Sequence, residues 1–329
     1  MQVLVSHLFI DSLTSPKPQK KEFKKKNLYA LHSTFFFPFG IQIQFTINTE
    51  GPLSVLFIAE LAYKCSDMNY GSSSRSSGFD SGNRTSRRSV EYGRTYVVKP
   101  KGRHQATIVW LHGLGDNGAS WSQILETLPH PNIKWICPTA PTRPVASFGG
   151  FSCTAWFDAG DFSEEGPDDI EGMDASAAHV ANLLSTEPAN IKLGIGGFSM
   201  GAAIALYSAT CYIHGKFGNG NPYPINLSVI IGFSGWLPCY RSLKSKVEVS
   251  QDAIRRAAAL PVLLCHGRGD DVVMYEQGEK SAEVLRSAGF QNFSFKTYNG
   301  LGHYTSPEEM DDFCKWLRMK MGLDGSRSY

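Results

Sequence analysis

Between residues 94 and 323 the chain alternates short apolar runs with longer stretches of helical spacing. Strand-like runs fall near 95–99, 106–111, 133–137, 191–198, 228–232, 261–266 and 293–298, closed mostly by glycine, proline or polar residues. Helical patterns near 117–128, 174–185, 200–210, 275–288 and 307–321 separate them. Pro261-Val262-Leu263-Leu264-Cys265 is apolar almost throughout, the composition of a strand covered on both faces. The alternation predicts an α/β domain over 94–323 with a mostly parallel central sheet between two helical layers. Ser306-Pro307-Glu308-Glu309 predicts a helix start, with a capping serine, proline at the first position and early acids. That places the last helix just beyond His303. Cys211 to Leu227, rich in Gly, Asn and Pro, reads as a surface loop.

The material upstream differs in composition. Residues 1–104 carry 15 Lys and Arg against 7 Asp and Glu, whereas 105–329 carry 17 against 23, so the net charge of +2 hides a segregation by region. Residues 68–93 are rich in Ser, Gly and Arg and too poor in apolar side chains to offset the entropy of ordering, which predicts a disordered linker. The tail, 324–329, is expected to be disordered too. Residues 1–67 form an N-terminal extension of uncertain status. They hold a basic cluster at Lys20 to Lys26, an apolar knot at Phe35 to Phe39 and an apolar stretch, Leu53 to Tyr63, too short to span a bilayer. Met1 to Leu13 lacks the pattern of a secretory signal; an organelle transit peptide and a start at Met68 both remain open. The basic cluster reads as a solvated charge run, so no nucleic-acid partner and at most peripheral membrane contact are expected.

Gly197-Phe198-Ser199-Met200-Gly201 carries the most chemical information, because it sets a serine between two glycines where a strand pattern becomes a helix pattern. A serine exposed on so sharp a turn is the arrangement of a hydrolase nucleophile, with helix amides aimed at developing negative charge. Such a nucleophile needs a base and an acid, and in this topology both follow it in sequence, just after later strands. His303, in Gly300-Leu301-Gly302-His303, is the candidate base. Asp270, in His266-Gly267-Arg268-Gly269-Asp270-Asp271, is the preferred acid and Asp271 its competitor. Two backbone amides, of Leu114 after the strand at 106–111 and of Met200, are the candidate oxyanion donors. His112, His179 and His266 read as hydrogen-bonded or packed residues without an acid-base role.

Taken together, HGLGDNGASW at 112–121, PTAPTRPV at 138–145, TAWFD at 154–158, GGFSMGAA at 196–203, HGRGDD at 266–271 and GLGHY at 300–304 resemble the acyl-protein thioesterase and carboxylesterase family of the α/β-hydrolase fold. The resemblance covers about residues 95–321. It implies a Ser199–His303–Asp270 triad with oxyanion amides at Leu114 and Met200. It also implies hydrolysis of thioesters joining palmitate-like chains to protein cysteines, with small-ester or lysophospholipid hydrolysis as the alternative. A hydrolase-fold receptor that binds without turnover is the third reading. Many members of the family carry glutamine where Met200 stands and aspartate where Arg268 stands.

The insert between 137 and 174 is unusually aromatic, and Phe148, Phe151, Trp156, Phe157 and Phe162 are candidates to line an acyl groove. The resemblance singles out Trp156 as the acyl-binding residue. The implied partners are S-acylated proteins or lipid and small ester substrates. Seven cysteines without CxxC pairs point to free thiols in a reducing cytoplasmic compartment, and neither a metal nor another cofactor is expected.

Overall fold

The structure, a computed structural model, describes residues 31–37, 41–47, 90–159, 168–248 and 250–323. The chain divides into two compact units, 1–56 and 57–329. In the first, β1 (Leu31–Phe37) and β2 (Ile41–Ile47) form an antiparallel hairpin with Leu31 opposite Ile47 and Phe37 opposite Ile41. The sequence pattern did not anticipate these strands. The basic cluster at 20–26, most of the linker at 68–93, Phe162 and the tail at 324–329 lie outside the described residues.

The second unit holds a seven-stranded sheet in the order β11-β10-β9-β8-β4-β5-β3. Its strands are β3 (Tyr96–Val98), β4 (Ala106–Leu111), β5 (Ile133–Cys137), β8 (Lys192–Phe198), β9 (Val229–Phe233), β10 (Val262–Gly267) and β11 (Phe293–Tyr298). All pair in parallel except β3, which runs antiparallel to β5 at one edge. A separate hairpin, β6 (Thr142–Val145) with β7 (Phe151–Thr154), follows β5.

Helices cover both faces of the sheet, so successive strand residues enter two different cores. On one face, Ile108 and Trp110 of β4 pack with Trp121 of α1 (Gly118–Glu126) and Phe313 and Leu317 of α7 (Pro307–Met321). On the other, Val109 and Leu111 join Val180 and Leu184 of α2 (Ile170–Ser185) and the apolar side chains of α3 (Met200–His214). Double coverage is why these strands read as continuous apolar runs. Each large side chain buried this way contributes roughly 1.5–3 kcal/mol of transfer free energy. α3 is the central support. All its residues from Met200 to Cys211 are buried, and small ones at Ala202, Ala203 and Ala205 let it lie close under the sheet.

The observed elements depart from expectation where local pattern is weakest. α3 runs on to His214, because Tyr212 and Ile213 continue its apolar surface until Gly215 closes it in the left-handed region at φ 70°. The stretch to Leu227, expected as a surface loop, is tied down. Buried Asp174 accepts the amides of Gly218 at 2.8 Å and Asn219 at 2.7 Å and the Tyr207 hydroxyl at 2.6 Å, while Tyr223, Ile225 and Leu227 enter the core. Two unforeseen helices, α4 (Leu243–Glu248) and α5 (Gln251–Ala259), precede β10, and α6 (Tyr275–Ser287) follows it. Among the described residues no helix is long and apolar enough to cross a membrane.

Candidate active site

Ser199 sits at the junction of β8 and α3 with φ 55° and ψ −121°, a backbone conformation that an L-residue holds only when its surroundings enforce it. The Ser199 amide donates to Phe233 O at 2.8 Å. The flanking glycines make the turn possible. A Cβ on Gly197 would lie 2.4 Å from the Gly201 carbonyl carbon, and one on Gly201 would lie 2.2 Å from Leu111 O. Neither contact can be relieved by rotating a side chain.

The other two strand ends converge on this turn. His303 Nε2 lies 3.0 Å from Ser199 Oγ, and His303 Nδ1 lies 2.8 Å from Asp270 Oδ2. Asp271, the competing acid, is exposed and makes no such contact. The loops carrying acid and base are laced together, since the Gly269 amide donates to Leu301 O at 2.9 Å and Gly267 packs where a Cβ would lie 2.1 Å from that oxygen. Phe198 lies against the His303 ring at 4.8 Å. Burial alone would raise the Asp270 pKa. The hydrogen bond and charge of His303 and the amides of Val272 and Val273 outweigh it and hold the carboxyl below its ordinary value. An ionised acceptor at Oδ2 fixes the His303 proton on Nδ1 and leaves the Nε2 lone pair facing the serine hydroxyl.

Leu114 lies on the loop after β4, and Met200 is the first residue of α3. The Gly115 amide is engaged with Thr154 O at 2.9 Å and that of Asp116 with Gly113 O at 3.2 Å. The Leu114 amide has no acceptor among the described residues, and the amide of Met200 is one of the helix-start donors that no intrahelical carbonyl can take. His112, fully buried, braces the loop. Its Nδ1–H donates to Gly113 O at 2.6 Å, its Nε2 accepts from the Ala140 amide at 3.0 Å, and burial lowers its pKa, keeping the ring neutral.

Trp156 takes a different place from the one expected. Only 1% exposed, it does not line an open groove: its Nε1–H donates to His112 O at 2.9 Å beneath the Leu114 loop, and its carbonyl accepts the Ser176 hydroxyl. Sequence reasoning identified an aromatic side chain near the site but missed that an indole donor is there to satisfy a buried carbonyl. Of the other insert aromatics, Phe157 is buried edge-on to Trp236, and Phe151, on the β6–β7 hairpin, is 62% exposed. Met200 is also buried, and its sulfur accepts the Trp156 amide at 3.4 Å. Among the described residues no His, Cys, Asp and Glu side chains cluster in threes as a metal site would need, and the six described cysteines form no disulfide.

Behind the acid lies a group the sequence did not reveal as unusual. Glu309, in the first turn of α7, is fully buried, and its carboxyl oxygens meet no well-formed hydrogen-bond partner among the described residues beyond a weak approach to the Ser306 backbone. Burial pushes its pKa up to about 8 against the lowering pull of the Ser306 backbone, with the nearby Asp270 charge acting in the same direction as burial. An acid whose folded value exceeds its unfolded one binds an extra proton in the native state between the two. This group's contribution to stability therefore falls as pH rises from about 4.5 to about 8. Glu309→Gln should consequently raise stability at pH 9, by on the order of a few kcal/mol, and change it little at pH 5. Thermal melts of both proteins across pH 5–9 test this, and parallel curves would refute it.

Residues 93–321 match the phospholipase/carboxylesterase family. The chain is 33% identical over 232 residues to acyl-protein thioesterase 1 homolog 1 of Dictyostelium discoideum, covering 68% of this chain and 94% of that one. It is 32% identical over 225 residues to a probable carboxylesterase of Oryza sativa subsp. japonica, covering 66% and 78% respectively. Among solved structures it resembles Zea mays acyl-protein thioesterase 2 at 71% identity with a TM-score of 0.70, over 70% of this chain and all of the other. The hydrolase topology and a match spanning the whole seven-stranded sheet agree that the chain belongs to the phospholipase/carboxylesterase family of α/β-hydrolases.

Proposed function

We propose that residues 94–323 are the catalytic unit of a serine hydrolase that removes fatty acyl groups from protein cysteines, with Ser199 as nucleophile, His303 as general base and acid, and Asp270 as the carboxylate that orients it. The observation carrying this reading is His303, held between Ser199 Oγ at 3.0 Å and Asp270 Oδ2 at 2.8 Å. His303 Nε2 takes the hydroxyl proton as Oγ attacks the thioester carbonyl. The oxygen that becomes negative is met by the Leu114 and Met200 amides, and one such donor is typically worth about 3 kcal/mol in the transition state. As the tetrahedral intermediate collapses the C–S bond breaks, and the imidazolium returns its proton to the sulfur. Water, deprotonated by the same nitrogen, then cleaves the acyl-serine and releases the fatty acid.

A thioester suits this apparatus, because a thiol of pKa about 8.5 leaves with far less protonation than an amine requires. The acyl-protein thioesterases of Dictyostelium discoideum and Zea mays support the choice of substrate, and the scattered cysteines support a reducing, cytoplasmic setting. The similarity to a probable carboxylesterase favours a second reading, hydrolysis of small or lipid esters by the same residues. Comparing kcat/KM for a palmitoylated-cysteine peptide and a short-chain ester separates the two. Depalmitoylation predicts at least ~10-fold preference for the peptide, from apolar contacts worth about 1–3 kcal/mol per methylene when fully used. Equal or faster turnover of the short ester would favour the carboxylesterase.

A further inference from the structure

Asp270 has a second imidazole beside it. His266, the fifth residue of β10, is fully buried, and its Nε2 lies 2.8 Å from Val273 O and 3.5 Å from Asp270 Oδ2. A carbonyl can only accept, so Nε2 carries the proton and points it between the carbonyl and the carboxylate. The same short turn returns the Val272 and Val273 amides to Asp270 Oδ1 at 3.0 and 2.9 Å. His266 thus pins the far end of a four-residue turn whose near end is the acid. The ring itself is fixed from behind: Gly278 of α6 packs against it so closely that a Cβ there would lie 2.4 Å from Nδ1, and Tyr275 meets it edge-on at 6.2 Å.

We propose that His266 is a positioning residue for the reaction, which closes the Asp270–Val273 turn through its Nε2–H so that backbone amides hold Oδ1 and the carboxylate faces His303 Nδ1, with Oδ2 at 2.8 Å and Oδ1 at 3.1 Å. The inference deepens the triad reading and rests on it. A carboxylate with free rotation would share its lone pairs between several orientations, whereas one anchored at Oδ1 by two backbone amides keeps its face toward His303 in a single orientation. The role requires a neutral ring, since an imidazolium at 266 would compete with His303 for the same oxygen. Burial lowers the His266 pKa and opposes that charge, against the pull of Asp270 from its own loop and Glu276 from α6; His303 acts with burial.

His266→Phe keeps a ring of similar shape and deletes the donor, whereas His266→Gln places an amide N–H in the same region. The Phe variant is expected to lose about tenfold to a hundredfold in kcat with KM within about twofold, the effect of a small misplacement at the reacting centre. The acid limb of its kcat/KM profile should move to lower pH, because a less well aimed carboxylate stabilises the imidazolium less. The Gln variant should recover most of both losses. Gly278→Ala provides an independent route should the Phe variant fail to fold. Alanine is a better helix former than glycine, so lost activity in a Gly278→Ala protein that melts like wild type reports the displaced imidazole and not a broken helix. Wild-type kcat and pH profile in a folded Phe variant would overturn the proposal, as would a Gln variant impaired as severely as Phe or, where Phe does not fold, an unimpaired Gly278→Ala enzyme. If Ser199→Ala abolishes activity in the same assay, such a failure counts against His266 alone and not against the triad.

Discussion

Alanine at position 199 is expected to abolish hydrolysis, with kcat falling at least ~10⁴-fold, because the oxyanion amides and the binding surface remain but no group can form the acyl intermediate. The loss should appear in kcat and leave the fold intact. Ser199 contributes one hydroxyl to a site it reaches through backbone geometry, and the hydrogen bond its backbone N–H donates to Phe233 O survives the substitution. The strained φ of 55° costs alanine as it costs serine, so the melting temperature should stay within a few degrees. Steady-state assays with the palmitoylated peptide, paired with thermal melts, measure both quantities. A variant retaining a tenth of wild-type turnover would mean that Ser199 is not the nucleophile.

The second large effect concerns the acid. Asp270→Asn is expected to lower kcat by about 10⁴-fold, because the amide that replaces Oδ2 no longer holds the His303 proton on Nδ1 and the serine then faces a protonated nitrogen. Asp271→Asn makes the contrast. That carboxylate is adjacent in sequence but exposed, and no bond connects it to His303, so its removal should change kcat by less than about twofold. Comparable losses in the two variants would mean that the acid role is shared or that the loop rearranges on binding. A retained kcat for Asp270→Asn would remove the carboxylate from the mechanism.

Much of this site was visible in the sequence because its parts obey local rules. Gly197 and Gly201 flank Ser199 since two backbone approaches leave no room for a Cβ, and that necessity is written as a pentapeptide. Asp270 and His303 each follow a strand run and a glycine-containing turn, so their order along the chain announced a common edge. The capped start of α7 was equally legible, with the Ser306 hydroxyl accepting the Glu309 amide at 3.1 Å. Sequence alone preferred Asp270 over Asp271 because it directly follows the loop glycine, and in the fold it is Asp270 whose Oδ2 lies 2.8 Å from His303 Nδ1.

What stayed hidden depends on contacts between distant segments. The β6–β7 hairpin has four-residue strands, one containing Pro144, with no alternation long enough to register as strand. α4 and α5 are short, and their polar stretches resemble loop. Trp156 looked like a pocket aromatic because its partner, the His112 carbonyl, lies 44 residues away. His266 and Glu309 read as ordinary polar residues; only the folded chain brings both toward Asp270 and removes water from around them. The loop after α3 illustrates the same limit, since its glycines and asparagines suggest freedom while Asp174 holds two of their amides.

The most direct test of a Ser199–His303–Asp270 relay is to treat the wild-type protein with a fluorophosphonate and locate the adduct by peptide mass mapping. A single covalent phosphonyl group on Ser199, formed in step with loss of activity and absent from Asp270→Asn on the same timescale, is the predicted result. An active preparation that stays unmodified, or that carries the adduct on another residue, would contradict it.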